Sequence, residues 1–253
     1  MATAGDRWDA FRRAPQRAAV LTDFDGTLAA IVDDPAAARP LEGVPALLDE
    51  LAGRYGLVAV LSGRPVSFLQ QHLSDRIVLS GIYGLEVARD GGRHDHPEGD
   101  GWRAVVAEAV AAATADGPEG MGVEPKGLSL TVHFRGAREL EAKVRDWADA
   151  EAARSGLLVR SARMSVELHP PIAADKGTAV VDLAGSFDAV CFLGDDLGDL
   201  PAFNALDELA ERGATTVRVA VRSDEAPEEL LARADLVVDG PEGAAAVLRS
   251  LLG

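Results

Sequence analysis

Residues 18–28 read AAVLTDFDGTL, an apolar run followed by two aspartates two positions apart and then by a glycine. A continuous apolar run bounded by turn residues is typical of a strand that is buried on both faces, as in a parallel sheet. Carboxylates at the end of such a strand are costly to bury without a cation. The stretch therefore predicts that Asp23 and Asp25 lie at the carboxyl end of a buried strand, close to a cation.

Two other apolar runs end in the same way. Leu57–Leu61 precedes Ser62, and Ala189–Leu193 precedes Gly194 and Asp195. The remaining strand-like and helical patterns lie at Val217–Val221, Asp235–Val238, Val44–Leu51, Pro65–Leu73, Thr178–Leu183 and Gly243–Leu252. Strands that alternate with helices predict an open, Rossmann-like α/β sheet with parallel strands, whose ligands bind at the carboxyl ends of those strands.

The middle of the chain, residues 89–169, has a different pattern. Apolar and polar residues alternate with a period of two over residues 128–135 and again over residues 164–169. This alternation is typical of antiparallel strands with one buried face, which two neighbouring helical stretches are expected to cover. We therefore predict a discontinuous α/β core, residues 1–88 and 170–253, and an inserted α+β domain at residues 89–169.

The acidic balance of the chain limits its partners. The 253 residues include 41 Asp and Glu against 25 Lys and Arg, a formal net charge of −16. This charge disfavours nucleic acid and anionic membranes as general partners, although a local site can still attract an anionic small molecule. No apolar run approaches the ~18 residues of a membrane-spanning helix, and the polar N-terminus does not resemble a signal peptide. Because Cys191 is the only cysteine, no internal disulfide can form, and we expect a cytoplasmic protein. We also expect a monomer.

Four polar motifs occur in a fixed order. They are Asp23-Phe24-Asp25, Ser62-Gly63-Arg64, Asp175-Lys176-Gly177 and Gly194-Asp195-Asp196. Each motif alone is common in loops, but the ordered set resembles the haloacid dehalogenase superfamily of phosphotransferases. The resemblance narrows to trehalose-6-phosphate phosphatases, from Asp23 to about Phe203, through Gly84-Leu85-Glu86, Glu124, Lys126, Ser129, His133, Arg135, Glu167 and Pro170. It implies a haloacid dehalogenase core with an inserted cap domain that determines substrate specificity.

The chemistry of the set follows from charge. A carboxylate that attacks a phosphate dianion meets repulsion of roughly 8 kcal/mol at a separation of ~4 Å and an effective dielectric constant near ~20. A Mg²⁺ ion between the carboxylates and the phosphate offsets this repulsion and orients the attack. The resemblance implies that Asp23 is the nucleophile, which forms an aspartyl-phosphate, and that Asp25 is the general acid and base.

The resemblance also implies the ligands of the ion and of the phosphate. The Mg²⁺ ligands would be Asp23, the backbone carbonyl of Asp25, and Asp195, with Asp196 and Asp199 beside the ion or hydrogen-bonded to its ligands. The phosphate ligands would be Ser62, Gly63 and Lys176. Thr27 would either lie close to the ion or tighten the turn after Asp25.

The inserted domain is expected to recognise a sugar, because sugar hydroxyls need paired donors and acceptors. The candidate residues lie on or beside the polar face of its strands and are Glu124, Lys126, Ser129, His133, Arg135 and Glu167. A solvated sheet face is the alternative interpretation of the same residues. Arg64 would either reach the sugar or hold its loop through an ion pair.

The sequence departs from the family pattern in two places. Gly198 and Leu200-Pro201 depart from it in the fourth motif, and Tyr83 stands where a histidine is frequent. We predict a Mg²⁺-dependent phosphatase that hydrolyses trehalose 6-phosphate to trehalose and phosphate, with a sugar phosphate as its small-molecule partner. It could also associate with trehalose-6-phosphate synthase. The alternatives are a phosphatase of another sugar or polyol phosphate and, more remotely, a phospho-accepting or partner-binding domain without catalysis.

Overall fold

A computed structural model describes residues 4–32, 34–162, 164–223 and 226–253. The chain divides into two compact units, residues 1–94 with 174–253 and residues 95–173. None of the helices within the described residues is long and apolar enough to span a membrane.

The strands are, in chain order, β1 (Ala18–Thr22), β2 (Leu57–Leu61), β3 (Val78–Gly81), β4 (Glu86–Arg89), β5 (Gly92–Asp95), β6 (Gly122–Pro125), β7 (Leu130–His133), β8 (Leu158–Ala162), β9 (Ser165–His169), β10 (Ala189–Gly194), β11 (Thr215–Arg222) and β12 (Leu236–Asp239). The helices are α1 (Ala4–Arg13), α2 (Val44–Arg54), α3 (Val66–Leu69), α4 (Arg103–Asp116), α5 (Glu141–Ser155), α6 (Lys176–Ala184), α7 (Leu200–Glu211), α8 (Glu228–Arg233) and α9 (Gly240–Ser250).

The first unit is built on an eight-stranded sheet in the order β12-β11-β10-β1-β2-β3-β4-β5. The pairs from β12 to β3 are parallel, and β4 runs antiparallel to β3. Because β5 extends this sheet beyond β4, the first unit reaches a few residues further along the chain than the predicted boundary at residue 88. The parallel α/β core predicted from the apolar runs is confirmed.

Every residue of β1, β2 and β10 is buried, which explains why these strands read as continuous apolar runs. One face of the sheet packs against α1, α2 and α9. The other face packs against α6 and α7. The parallel register aligns Thr22 of β1 with Val60 of β2 and Leu193 of β10, so the residues that follow these strands meet at one edge of the sheet.

The second unit contains a four-stranded antiparallel sheet in the order β6-β7-β9-β8. Its apolar face, represented by Val132 and Val166, packs in one hydrophobic cluster with residues of α4 and α5. The opposite face carries the polar partners of the alternation. This arrangement explains the period of two in the sequence, because successive side chains of a strand point to opposite faces.

The helical pattern at Pro65–Leu73 differs from its prediction. Pro65 lies just before α3 in extended backbone, and the helix covers only Val66–Leu69 before the chain continues in turns. The described residues also contain elements that the sequence patterns did not indicate, namely the helices α1, α7 and α8 and the strands β3, β4, β5, β6 and β8.

Candidate active site

Three buried carboxylates meet where β1 and β10 end. Asp23 follows β1, and its backbone N–H donates to the Leu193 carbonyl at 2.8 Å. Asp195 follows β10, and Asp199 lies one turn further along the chain. Oxygen atoms of Asp23, Asp195 and Asp199 lie within 4.8 Å of one another, close enough to bind one metal ion.

The Lys176 ammonium group lies among these carboxylates. Its Nζ is 2.7 Å from Asp23 Oδ1 and 2.6 Å from Asp199 Oδ1, and the side chain is almost fully buried. Lys176 is the first residue of α6, where a capping box fixes the backbone: Thr178 N–H donates to the Asp175 carboxylate at 2.8 Å, and Asp175 N–H donates to the Thr178 hydroxyl at 3.0 Å. The helix start therefore directs Lys176 to the carboxylate cluster.

The electrostatics of this cluster fit a divalent cation. Burial, reinforced by the neighbouring carboxylates, raises the pKa of Asp195 to about 8. Burial also raises the pKa of Asp23 and Asp199, although Lys176 opposes both shifts. Burial lowers the pKa of Lys176, but Asp199 and Asp23 outweigh it, and the net pKa is raised well above the usual value. Three carboxylates with one ammonium group leave negative charge uncompensated, and hard oxygen ligands are those that Mg²⁺ prefers.

The turn after Asp25 is shaped around Asp195. Gly26 has a φ of +81°, and a Cβ there would lie 2.0 Å from Asp195 Oδ2, so only glycine fits without displacing that carboxylate. Thr27 is fully buried, and its hydroxyl donates to Asp195 Oδ1 at 3.2 Å. Thr27 therefore both follows the tight turn and contacts a carboxylate of the cluster.

Asp196 and Asp199, which were predicted together, differ in the structure. Asp199 is fully buried, and its Oδ2 accepts from the backbone N–H groups of Asp195 and Asp196 at 2.8 and 3.1 Å. Asp196 is exposed and accepts from the Gly198 N–H at 2.8 Å. Asp199 thus belongs to the carboxylate cluster, whereas Asp196 holds the turn in which Gly198 departs from the family pattern.

Arg64 holds the Asp25 carboxylate with two parallel hydrogen bonds. Its Nη2 donates to Asp25 Oδ1 at 2.7 Å and its Nε to Oδ2 at 2.9 Å. The guanidinium group also donates to the Pro35 carbonyl at 2.7 Å and lies over the Phe68 ring, 4.4 Å from its centroid. Of the two alternatives for Arg64, the structure shows the ion pair. A contact with a sugar stays a prediction.

The Ser62 loop is held by a neighbouring turn. Ser62 is buried, its N–H donates to the Ser80 carbonyl, and its carbonyl accepts from Tyr83 N–H at 3.0 Å. Ile82 N–H donates to the Arg64 carbonyl at 2.9 Å. Ile82 and Tyr83 have φ values of 48° and 55°, a conformation that is strained for a β-branched residue and costs about 1–3 kcal/mol.

The same turn explains Gly63 and Glu86. A Cβ on Gly63 would lie 2.8 Å from the Tyr83 ring. The ring can therefore pack against position 63 only if the residue there is glycine. Glu86 is buried; it accepts from Val66 N–H at 3.0 Å and pairs with Arg93. The role of Tyr83 and Glu86 in shaping this loop was not predicted. The one local signal is the pair of glycines, Gly81 and Gly84, around the strained turn.

In the second unit, Glu124, Ser129, His133 and Glu167 form two hydrogen-bonded pairs. His133 Nε2 lies 2.7 Å from Glu124 Oε2, and the Ser129 hydroxyl donates to Glu167 Oε1 at 2.7 Å. Lys126 lies in the turn between β6 and β7, and Arg135 follows β7. The predicted residues are therefore grouped around one strand.

The chain is similar to known proteins in both sequence and fold. The trehalose-phosphatase family model matches residues 21–235. A trehalose-phosphate phosphatase of Mycobacterium ulcerans is 36% identical over 221 residues, which cover 83% of this chain and 55% of that protein. The chain thus spans about half the length of the curated relatives it matches.

Two solved structures share the fold. A trehalose-6-phosphate phosphatase related protein has a TM-score of 0.80 at 20% identity and covers 92% of this chain and 96% of its own. The C-terminal domain of C. albicans trehalose-6-phosphate phosphatase has a TM-score of 0.75 at 23% identity, with 100% and 98% of the two chains covered. This likeness confirms the predicted haloacid dehalogenase fold with its inserted α+β sheet.

Proposed function

The chain belongs to the trehalose-phosphatase family, and from this premise we propose that it hydrolyses trehalose 6-phosphate to trehalose and inorganic phosphate. The observation that carries the proposal is the placement of Lys176 between Asp23 and Asp199, with Asp195 beside them, at the carboxyl end of the parallel strands. Ligands of open α/β sheets bind at this edge.

Asp23 is the nucleophile in the proposed reaction. One carboxylate oxygen of Asp23 bonds to phosphorus, while the bond between phosphorus and the sugar oxygen breaks. Lys176, which contacts Asp23, reduces the repulsion between the attacking carboxylate and the phosphate oxygens. Ser62 and the Gly63 backbone, together with Lys176, hold the remaining phosphate oxygens.

The residues that would hold Mg²⁺ are Asp23, the Asp25 backbone carbonyl and Asp195, with Asp199 in the same cluster. When bound, Mg²⁺ supplies positive charge that compensates the phosphate and the carboxylates. Asp199 also keeps the turn after β10 in place, because it accepts from two backbone N–H groups there.

Asp25 moves the proton in both halves of the reaction. It enters the reaction protonated, with one of its two hydrogen bonds from Arg64 released, and gives its proton to the sugar oxygen as that oxygen leaves, so trehalose departs as a neutral alcohol. A water oxygen then attacks phosphorus, the bond to Asp23 breaks, and Asp25 accepts the proton of the water. Arg64 orients the Asp25 carboxylate through its two hydrogen bonds.

The polar sheet face of the second unit supplies the sugar-binding groups in this proposal. Glu124, His133, Ser129 and Glu167 form two hydrogen-bonded pairs there, and sugar hydroxyls can extend both pairs. We further propose that the protein acts in the cytoplasm as a monomer. Trehalose-6-phosphate synthase is the enzyme with which it would associate.

The proposal is tested by phosphate release from a panel of trehalose 6-phosphate, glucose 6-phosphate, sucrose 6-phosphate and a polyol phosphate, with Mg²⁺ present. We expect a clear preference for trehalose 6-phosphate. Equal kcat/KM values for all four esters would contradict the proposal that trehalose 6-phosphate is the substrate. If none of the four esters released phosphate, the proposal that the protein is a phosphatase would be wrong. Activity that survives complete chelation would remove Mg²⁺ from the proposal.

A further inference from the structure

Thr131 is a buried threonine whose hydroxyl has no hydrogen-bond partner within the described residues. It lies at the centre of β7, and its side chain is 3% exposed. A buried hydroxyl without a partner loses its hydrogen bonds to water and gains none in return. Valine has nearly the same shape without this cost, so packing alone does not explain a threonine at this position.

The strand register places Thr131 among charged side chains. Thr131 lies opposite Glu124 of β6 on one side and opposite Glu167 of β9 on the other, and Glu167 lies opposite Arg160 of β8. Residues directly opposite in neighbouring strands point to the same face of a sheet. Thr131 therefore stands in one row with Glu124, Glu167 and Arg160, on the polar face.

A second unpartnered atom lies on the same face of the same strand. His133 Nδ1 is buried without a partner in the part of the chain that the structure describes. Since Glu124 is a carboxylate that accepts, His133 Nε2 carries the donated hydrogen, and Nδ1 is the ring nitrogen that is left for a ligand. Residues two apart on a strand are about 7 Å apart, roughly the width of one sugar ring with its hydroxyls.

The charges on this face determine the chemical class of its ligand. Glu124 and Glu167 flank Thr131 directly, whereas Arg160 lies beyond Glu167 and pairs with it at 3.7 Å. The nearest charges to the hydroxyl are therefore carboxylates, which disfavour a phosphate group beside it. A neutral group that both donates and accepts suits the threonine hydroxyl and the unpartnered ring nitrogen of His133. Alcohol groups of a sugar have this property, whereas an apolar ligand would leave both atoms unpartnered.

We propose that Thr131 binds a hydroxyl of the substrate sugar and that His133 Nδ1 forms a hydrogen bond with a second hydroxyl of the same sugar. This inference rests on the proposed function and adds a specificity-determining residue to it. Thr131 is unpartnered in the free protein because the substrate supplies its partner.

The test compares Thr131→Val with the wild-type protein on two esters. For trehalose 6-phosphate we expect kcat/KM to fall about 5- to 10-fold, mainly through a higher KM, because one hydrogen bond to the sugar is lost. For p-nitrophenyl phosphate, which has no sugar, kcat/KM should stay within about twofold of the wild-type value. The melting temperature should stay the same or rise, because the unpartnered hydroxyl is removed.

Two further variants complete the test. Thr131→Ser keeps the hydroxyl and should recover most of the lost kcat/KM for trehalose 6-phosphate. Thr216→Val removes the hydroxyl of another buried threonine, in β11, and should not change the preference between the two esters. Calorimetric titration with trehalose gives an independent readout, in which Thr131→Val should bind more weakly than the wild-type protein.

The outcomes separate this inference from the proposed function. A wild-type protein without preference for trehalose 6-phosphate contradicts the proposed function itself. A wild-type protein with that preference, together with a Thr131→Val variant that keeps its kcat/KM and its trehalose affinity, contradicts the role of Thr131. Equal losses on both esters would also contradict it, because the hydroxyl would then act on the fold or on the phosphate site.

Discussion

The two sheets of this protein carry their polar groups in different places. In the eight-stranded sheet, β1, β2 and β10 are buried throughout, and the polar groups stand in the turns beyond the strand ends. In the four-stranded sheet, the polar groups stand on the strands themselves, opposite an apolar face. Turns fix a group through backbone geometry, whereas a strand face fixes it through register.

This difference has a functional consequence. At the strand ends, a substitution disturbs backbone turns and the carboxylate cluster, so it should affect every phosphate ester equally. On the strand face, a substitution changes one donor or acceptor and leaves the backbone in place, so it should affect only the ester whose sugar is recognised. The predictions below test this contrast, beginning with the strand ends.

Asp23→Asn should have the largest effect. Removal of the nucleophilic oxygen is expected to lower kcat on the order of 10⁴-fold for trehalose 6-phosphate and for p-nitrophenyl phosphate alike. The measurement is steady-state phosphate release, with Asp149→Asn, an exposed aspartate of α5, as the matched control. Turnover close to wild type in Asp23→Asn would contradict the assignment of the nucleophile.

Gly26→Ala should have the second largest effect, through geometry alone. Its Cβ would lie 2.0 Å from Asp195 Oδ2, so the carboxylate has to move. A displacement of this kind is expected to lower kcat about 100-fold and to weaken Mg²⁺ binding. The matched control is Gly43→Ala, because Gly43 has a similar φ of +80° but no atom within 4 Å of the position that a Cβ would take.

Both glycine variants should lose stability, because both force alanine into left-handed backbone, and Gly26→Ala should lose more because its Cβ also displaces Asp195. The difference between the two melting temperatures therefore separates displacement of Asp195 from backbone strain. If Gly26→Ala and Gly43→Ala lose the same activity, the close approach between Gly26 and Asp195 is irrelevant to the reaction.

Arg64→Lys should have an intermediate effect. Lysine keeps the charge but loses the planar fork that gives Asp25 two parallel hydrogen bonds. We expect kcat to fall about 10-fold on trehalose 6-phosphate and on a polyol phosphate alike, because Asp25 protonates an alcohol oxygen in both. A loss confined to trehalose 6-phosphate would instead assign Arg64 to the sugar, as the other alternative from the sequence requires.

The sequence predicted the strand ends well for a physical reason. Strands buried on both faces read as continuous apolar runs, so the polar residues that end them, such as Asp23, Ser62 and Asp195, are conspicuous. The strand β8 gave no comparable signal, because it lies at the edge of its sheet and exposes Leu158 and Val159. The exposure of these apolar residues follows from the position of β8 at the sheet edge, which the residue types of β8 do not reveal.

Contacts between residues far apart in the sequence could not be predicted either. The role of Glu86 depends on Val66, twenty positions earlier, and the contact exists only because β3 pairs with β2. The difference between Asp196 and Asp199 depends on how one turn after β10 directs each side chain. Neither the pairing of strands nor the direction of a side chain in a turn can be read from residue types alone.

The smallest expected effect concerns the pH dependence of stability. Asp195 has a pKa of about 8 in the folded, cation-free protein, against its ordinary value of 3.8. The folded state therefore keeps a proton that the unfolded state has already released, so this group makes the protein less stable as pH rises from about 4 to about 8. Measured in chelator, the melting temperature should fall over this range.

Added Mg²⁺ should reverse that fall, because it binds the ionised carboxylates and is absent from the unfolded chain. We expect the increase in melting temperature on adding Mg²⁺ to be about 5 °C at pH 8 and smaller at pH 6. Asp195→Asn removes one of the three carboxylates whose pKa is raised, so it should reduce both the pH dependence and the response to Mg²⁺, whereas Thr131→Val should leave both unchanged. An equal response to Mg²⁺ at the two pH values would show that ionisation of Asp195 is not coupled to the ion. Mg²⁺ would then bind at the strand ends without displacing a proton from Asp195.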